Sequence, residues 1–178
     1  MRVSTRPGPA DAIGWRRASA LDAELAQSLR ALLETQRIAS LGTLHNGEPY
    51  VSMVPFALRH GPTDFVIHVS RLAAHTKDMV ASPLVSLMIV APPSPEIAPQ
   101  AMARVTIQGD AVQALESAPG HTEMKQAYLA RFPQSAMTFE LSDFSLFAIK
   151  PRSIRFVGGF AQARSISPAT LAGILGHA

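Results

Sequence analysis

The sequence predicts a mainly β, α+β domain, in which an antiparallel barrel of six or seven strands carries flanking helices. Two observations lead to this fold class. Short runs rich in apolar and β-branched residues alternate with turn signals, and Asn46-Gly47 between two such runs is a strong hairpin signal because both residues tolerate positive φ. Helical patterns occur at the start, middle and end of the chain. Hairpin-linked strands of this kind favour an antiparallel barrel.

The composition is that of one globular domain. Hydrophobic residues make up 47% and charged residues 16% of the 178 residues, so the chain can build a core. A formal net charge of +3 is too small for the dense basic surface of a nucleic-acid-binding protein. The sequence has no cysteine, which excludes a disulfide scaffold and a thiolate metal site.

Neither a membrane span nor a signal peptide is predicted. No apolar run approaches the ~20 residues of a membrane helix, and the N-terminal residues lack the apolar core of a signal peptide. We therefore expect a cytoplasmic protein with neither nucleic acid nor a membrane as partner. Pro7, Gly8 and Pro9 indicate a flexible N-terminal arm over residues 1–17, which leaves residues 18–178 as the single domain.

The first third of the chain reads as a helix followed by an antiparallel meander. Residues 19–37 carry a leucine stripe at helical spacing, and Ser19 with Asp22 resembles a capping box. Strands are predicted at residues 38–44 and 49–58. Pro55 lies within the second strand and indicates an edge or a bulge there, because proline has no N–H for a strand ladder.

The stretch from residue 65 to residue 90 is the centre of the chain, with a strand, a helix over residues 72–81 and a second strand. Ser70 is a candidate helix cap. Cationic, hydroxyl and imidazole side chains near it could hold a phosphate at a helix N-terminus. They belong to Ser70, Arg71, His75, Thr76 and Lys77. The alternative is a capped surface helix whose charged residues are solvated.

The second half contains a strand at residues 102–114 with a possible kink at Gly109, a helix at residues 119–132, and strands at 144–150 and 153–157. Arg104 near the start of the first of these strands is either a rim residue or a ligand contact. A last helix runs from Ser167-Pro168 to Gly176, directly before His177. The sequence has no P-loop, G-x-G-x-x-G or H-E-x-x-H motif, no histidine spacing typical of zinc sites and no assignable serine triad.

Five segments in order resemble the FMN-binding split-barrel superfamily, which includes pyridoxamine 5′-phosphate oxidase. They are PYVSMVPF, HVSRLAAHTKDMVASPLVSLMI, ARVTIQGDA, SDFSLFAIKP and VGGFAQA. The resemblance covers about residues 31–177 and is greatest to the haem-utilisation branch, the HugZ/HutZ type. It implies a split β-barrel of the FMN-binding type, a homodimer and a small-molecule cofactor at the dimer interface.

The resemblance also implies roles for particular residues. It implies cofactor-binding positions on the strand beside the flavin ring, in the phosphate site and at an arginine that faces the ligand. These positions are Ser52, Val69, Ser70, His75, Thr76, Lys77 and Arg104. Asp143 and Gly176-His177 resemble the haem branch, in which the histidine ligates haem iron and the aspartate of the other subunit supports it. Asp143 and Arg104 are accordingly the candidate catalytic residues, and His177 is the candidate metal ligand.

Some positions depart from the pyridoxamine phosphate oxidases. Ser52 stands where those enzymes have an arginine, His68-Val69 replaces a tyrosine–threonine pair, and their C-terminal tryptophan and Arg-Leu-x-Pro end are missing. Oxidation of pyridoxamine phosphate is therefore not expected. Three hypotheses stay open: a haem-binding and haem-degrading protein, an FMN-dependent oxidoreductase acting on a small substrate, and a non-catalytic flavin- or haem-binding dimer.

Overall fold

The computed structural model describes residues 23–59, 61 and 63–176, and its centre is one antiparallel sheet of eight strands. The predicted N-terminal arm, Ser19, Asp22 and His177 lie outside the described residues. The strands are β1 (Ile38–His45), β2 (Glu48–Pro55), β3 (Ala57–Arg59), β4 (Asp64–Ser70), β5 (Leu84–Val90), β6 (Arg104–Ala114), β7 (Phe144–Val157) and β8 (Ala163–Ile166).

Helices flank the sheet as predicted. They are α1 (Ala23–Thr35), α2 (Ala74–Ala81), α3 (His121–Arg131) and α4 (Pro168–Gly176), with 3₁₀ helices at Pro99–Ala101 and Pro133–Glu140. Ser167 caps α4, because its Oγ accepts a hydrogen bond from the Thr170 N–H at 3.0 Å. Among the described residues, no helix is long and apolar enough to cross a membrane.

The order of the strands shows how the sheet curls into a half-barrel. Seven strands follow the order β2-β1-β5-β6-β7-β4-β3, so the two edge strands are consecutive in the chain and are separated only by Phe56. Phe56 is fully buried, and its N–H donates to the Arg37 carbonyl. The chain therefore crosses from one edge of the sheet to the other at Pro55-Phe56. This confirms Pro55 as an edge residue and corrects the prediction of one strand over residues 49–58.

The two strands predicted at 144–150 and 153–157 are one strand, β7, so this part of the prediction was wrong. The β6–β7 register shifts between Gln108 and Gly109, which pair with Ser153 and Pro151 and leave Arg152 as an extra residue. Pro151 and Arg152 thus form a bulge rather than a turn. A Cβ at Gly109 would collide with the Lys150 carbonyl, so the predicted kink is at a position where the backbones approach closely. Strand β8 was not predicted.

The main core fills the barrel, and helices α1 and α4 cover it. The leucine stripe of α1 is buried as predicted, at Leu25, Leu29, Leu32 and Leu33. Each buried leucine contributes roughly 1.5–3 kcal/mol. A second apolar cluster lies outside the barrel, between α3 and strands β4 and β7; it contains Ala57, Val66, Ala114, Met124, Tyr128, Phe132, Leu146 and Ala148. The face predicted for α3, with Met124, Tyr128 and Phe132, therefore packs as expected.

Candidate functional site

The end of β4 and the start of β7 bring Ser70 and Asp143 together within one subunit. Ser70 pairs with Phe144 in the β4–β7 ladder. The Ser70 hydroxyl donates to Asp143 Oδ2 at 3.0 Å, and the Arg71 N–H donates to the Asp143 carbonyl at 2.6 Å. The Asp143 carboxylate thus holds the turn between β4 and α2. This contact is possible because the end of β4 lies beside the start of β7.

This turn uses the hydroxyl protons of both Ser70 and Thr76. Thr76 is 3% exposed, and its hydroxyl donates to the Ser70 carbonyl at 2.7 Å. Helix α2 begins at Ala74 rather than at residue 72, and its N-cap is Ala73 without a side-chain hydrogen bond. Ser70 accepts instead from the Leu72 N–H at 3.2 Å. A phosphate at this turn would find that the hydroxyl protons of Ser70 and Thr76 are already donated to acceptors within the chain.

Asp78 anchors α2 to β1, and sequence analysis missed it. Its carboxylate accepts hydrogen bonds from Thr43 Oγ1 and from His45 Nδ1, each at 2.8 Å. Burial by itself raises the pKa of Asp78, but hydrogen bonds from His45 and Thr43 and the nearby imidazoles outweigh burial and lower it. Its place in the sequence indicates burial, because Asp78 follows His75 by one helical turn and directly precedes the apolar Met79. These positions belong to the face that a packed helix buries.

Two predicted site residues carry buried polar atoms without a hydrogen-bond partner among the described residues, namely Ser52 Oγ and His75 Nε2. Ser52 lies opposite the fully buried Leu41, so it is on the inward face of β2. Burial lowers the pKa of His75, and Asp78 offsets only part of this shift, so its imidazole is neutral near pH 7. Unsatisfied buried polar atoms are costly, and a bound ligand would satisfy them.

Lys77 and Val69 differ in their exposure. Lys77 is exposed on α2 and lines a cleft of about 450 Å³ beside the β1–β2 turn at Asn46-Gly47, whose φ values are +53° and +85° as the hairpin prediction requires. Val69 is 4% exposed and packs in the main core, where it shapes the barrel wall. His75, Ser52 and Lys77 are therefore the predicted flavin-site residues with side-chain hydrogen-bonding capacity that no described residue uses.

Arg104 lies far from this turn within one subunit. Its guanidinium donates to the carbonyls of Gln100 at 3.2 Å and Met102 at 3.0 Å. It pairs with Val157 at the end of β7, whereas Ser70 pairs with Phe144 at the beginning. Fourteen residues of β7 correspond to about 40 Å of strand at roughly 3.3 Å per residue. One subunit therefore does not bring Arg104 and Asp143 into one site.

The candidate iron ligand follows a helix end that the fold holds in place. Arg30 of α1 donates to the Leu175 carbonyl in the last turn of α4 at 3.1 Å. His177 itself lies outside the described residues. Within the described part of the chain, no group of three or more His, Cys, Asp or Glu side chains could hold a metal ion.

The outward surface of β2, β1 and β5 is apolar, and we name it the outer apolar face. Strand pairing places Met53, Ser40 and Met88 in one row across it and Val51, Gly42 and Ser86 in the next. Its large hydrophobic residues are substantially exposed, namely Ile38 (53%), Val51 (67%), Met53 (61%), Leu84 (46%) and Met88 (42%). A Cβ at Gly42 would come within 2.6 Å of Ser86 Oγ, so glycine keeps the middle of this face flat. A contiguous exposed apolar surface of this kind is typical of an interface.

A polar pocket of about 430 Å³ lies between the start of α3, the second 3₁₀ helix and the beginning of β7, and we name it the α3 pocket. His68 of β4 lines it, with its ring stacked on Phe139 at 3.8 Å between centroids. Burial, reinforced by Lys125 and His121, lowers the pKa of His68 to about 4. His68 was not among the predicted site residues, although its apolar strand neighbours indicate burial.

Residues 25–158 match the family model described as pyridoxamine 5′-phosphate oxidase. The chain belongs to this family. Its fold also matches a solved heme binding protein from Mycobacterium smegmatis with a TM-score of 0.74 and 29% identity, over 84% of this chain and 60% of that one. The predicted split barrel with flanking helices is thereby confirmed.

Two relatives of this member of the pyridoxamine 5′-phosphate oxidase family are described as heme oxygenases. The chloroplastic non-canonical heme oxygenase HOZ of Arabidopsis thaliana is 35% identical over 140 residues, which are 77% of this chain and 41% of that protein. The heme oxygenase HutZ of Vibrio cholerae is 26% identical over 153 residues, 83% of this chain and 84% of that protein. The chain thus spans about two fifths of the plant relative and most of the bacterial one. The predicted likeness to the haem-utilisation branch is confirmed.

Proposed function

We propose that this protein is a cytoplasmic homodimer that binds and degrades haem. The observation that carries the proposal is the likeness to relatives described as heme oxygenases, at 35% identity over 140 residues in one case. The outer apolar face supports it, because a flat apolar macrocycle and a second subunit both need such a surface. Haem, when bound, supplies the iron at which oxygen reacts.

Two residues would hold the iron of a bound haem. A neutral imidazole of His177 would give one nitrogen to iron, and Asp143 of the partner subunit would accept a hydrogen bond from its other N–H, which would fix the ring and raise its basicity. The position of α4 supports a contribution from two subunits, because β8, which leads into α4, pairs with Ile154 to Val157 at the far end of β7 from Asp143. Arg104 faces an acidic group of the ligand.

Haem titration of chain-end variants tests the iron ligand. Wild type and a chain ending at His177 should give the same Soret band and affinity, because both keep the imidazole. His177→Ala and a chain ending at Gly176 should lose the His-ligated spectrum, since neither has a nitrogen donor at that position. Absorbance and affinity measured at the same pH check this expectation, because protonation of imidazole weakens iron ligation.

The outcome is decisive in either direction. If all four proteins bind haem with the same spectrum, His177 is not the iron ligand and its assignment as that ligand is wrong. Asp143→Asn should keep haem bound but slow its degradation, since the amide keeps an acceptor and loses the charge. If Asp143 acts only through its hydrogen bond to Ser70, Ser70→Ala should slow degradation equally.

A second candidate function is an FMN-dependent oxidoreductase, favoured by the unpartnered Ser52 Oγ and His75 Nε2. In this reading Ser52 lies along the flavin ring, and His75 and Lys77 donate to the flavin phosphate. Lys77→Ala removes a charge-assisted hydrogen bond of about 1.5–3 kcal/mol, so FMN affinity should fall about tenfold or more. Riboflavin, which has no phosphate, should bind almost equally to both proteins.

Fluorescence quenching of the two flavins measures both affinities on one sample. Lys150→Ala is the matched control, because Lys150 is an exposed lysine of β7 that does not line the cleft at Lys77. Equal losses for FMN and riboflavin in Lys77→Ala would show that Lys77 does not contact the phosphate.

A further inference from the structure

The α3 pocket is a polar cavity beside the proposed haem and flavin residues, because Arg71, Ser142 and Phe144 in its wall are chain neighbours of Ser70 and Asp143. We propose that it binds a small oxyanion that also carries a hydroxyl group, such as a hydroxycarboxylate or a protonated phosphate. Three features of its walls support this: the arrangement of charge, the hydrogen-bonding state of His68 and the exposed N-terminus of α3.

The lysine of the pocket lies deeper than its carboxylates. Lys125 is half-buried, whereas Arg71, Glu116 and Glu140 are exposed. His121 Nδ1 donates to the Ala114 carbonyl at 3.2 Å, which orients the ring. Solvent and salt screen exposed carboxylates more than a half-buried ammonium group. An anion is therefore favoured inside, although the formal charges of the two cations and the two carboxylates balance.

His68, which lines the pocket, contributes an acceptor. The Thr138 hydroxyl has one proton and donates it to the Ser135 carbonyl at 2.8 Å, so at its 3.3 Å contact with His68 it accepts from Nδ1–H. The neutral ring then carries a lone pair on Nε2. His68 is 8% exposed, and no described residue hydrogen-bonds this nitrogen.

This acceptor selects the second group of the ligand. A simple carboxylate or chloride cannot donate to Nε2, whereas a hydroxyl can. A hydroxyl that donates to Nε2 adds one hydrogen bond, so a ligand with a hydroxyl has an advantage over one that lacks it.

The start of α3 adds backbone donors next to the same cavity. Its N-cap is Gly120, with φ of 84° and no side-chain hydrogen bond, and His121, the first residue of the helix, lines the pocket. The His121 N–H donates to the Ala118 carbonyl at 3.2 Å, so the donors left without an intrahelical acceptor are the N–H groups of Thr122 and Glu123, which carry a partial positive charge. A Cβ at Gly120 would collide with the Arg59 guanidinium, so this cation packs against the start of α3.

Titration with inorganic phosphate, followed by two-dimensional ¹H–¹⁵N NMR, locates the binding site. We expect saturable shifts at the amides of Leu115, His121 and Ser142, at constant ionic strength set with chloride. Lys125→Met should weaken binding about tenfold, because it removes the half-buried charge but keeps the apolar stem. Lys150→Met, the charge-matched control, should not change it. An absence of saturable shifts in wild type, or an unchanged affinity in Lys125→Met, would overturn the proposal.

A second comparison uses the unmodified protein. Lactate should bind about fivefold more tightly than propionate, because only lactate has a hydroxyl for Nε2 and one hydrogen bond contributes about 1 kcal/mol. Equal affinities would refute the role of the hydroxyl. Lys77→Met separates this pocket from the flavin site: unchanged phosphate binding supports the α3 pocket, whereas its loss would place phosphate at α2 instead.

Discussion

At the scale of single residues, His68 makes the fold sensitive to acid. Its pKa is about 4 in the folded protein against 6.5 ordinarily, so between these values the unfolded chain binds more protons than the native one. Stability is therefore complete above about pH 7 and falls as the pH drops toward 4. The loss from His68 between pH 7.5 and pH 5 is at most about 2 kcal/mol. His68→Phe should flatten the slope over this range, as measured by urea unfolding.

Thr138→Val is the matched control for this prediction. It removes the same hydrogen bond that His68→Phe removes, but it leaves the imidazole in place. The control should lower stability by a similar amount at every pH and keep the wild-type slope. If His68→Phe and wild type show the same slope, the buried imidazole is not the source of the acid sensitivity.

At the scale of elements, Arg131 ties α3 to the end of α1. Its guanidinium donates to the carbonyls of Leu33 at 3.1 Å and Glu34 at 3.0 Å and also contacts the Gln36 carbonyl, all of which a helix end leaves without intrahelical partners. Arg131→Met should cost about 2 kcal/mol of unfolding free energy, because it removes these charge-assisted hydrogen bonds and the contact of the guanidinium with the Phe56 ring at 5.1 Å.

Chemical denaturation with an unchanged m-value checks this expectation. Arg164→Met is the control, since Arg164 is exposed on β8 and donates to the carbonyl of its neighbour Ala163. The control should change stability by less than about 0.5 kcal/mol. A similar small effect for Arg131→Met would mean that packing alone holds α3 against α1.

At the scale of the whole molecule, the outer apolar face predicts a two-fold dimer. A two-fold interface repeats each contact, so the double variant Val51→Glu, Met53→Glu would bury four new charges. We expect it to be monomeric at micromolar concentration by light scattering, whereas wild type is dimeric. Met137→Glu, at a residue that is 80% exposed on the second 3₁₀ helix, should stay dimeric. A monomeric wild type, or a double variant of unchanged mass, would contradict this interface.

Local sequence patterns were sufficient for most of the elements. The Asn46-Gly47 turn, the leucine stripe of α1, the Ser167-Pro168 helix start and the kink at Gly109 each follow from residues within one turn or one strand pair. Their physical causes are short-range: positive φ, helical periodicity, capping and the lack of a side chain. The ordered family segments added the split barrel, which the matches at 29% and 35% identity bear out.

The tertiary structure decided which residues meet. Pro151-Arg152 reads as a turn in the sequence, but pairing with β6 along its whole length makes it a bulge within β7. Ser70 binds Asp143, and Asp78 binds Thr43 and His45, across separations of 33 to 73 residues that no local pattern reports. His68 became an unpartnered acceptor only because the strand order places it beneath α3 and the second 3₁₀ helix. Local chemistry determined the elements of this protein, whereas sheet register and long-range packing determined its sites, because burial and hydrogen-bond partners exist only once the chain has closed.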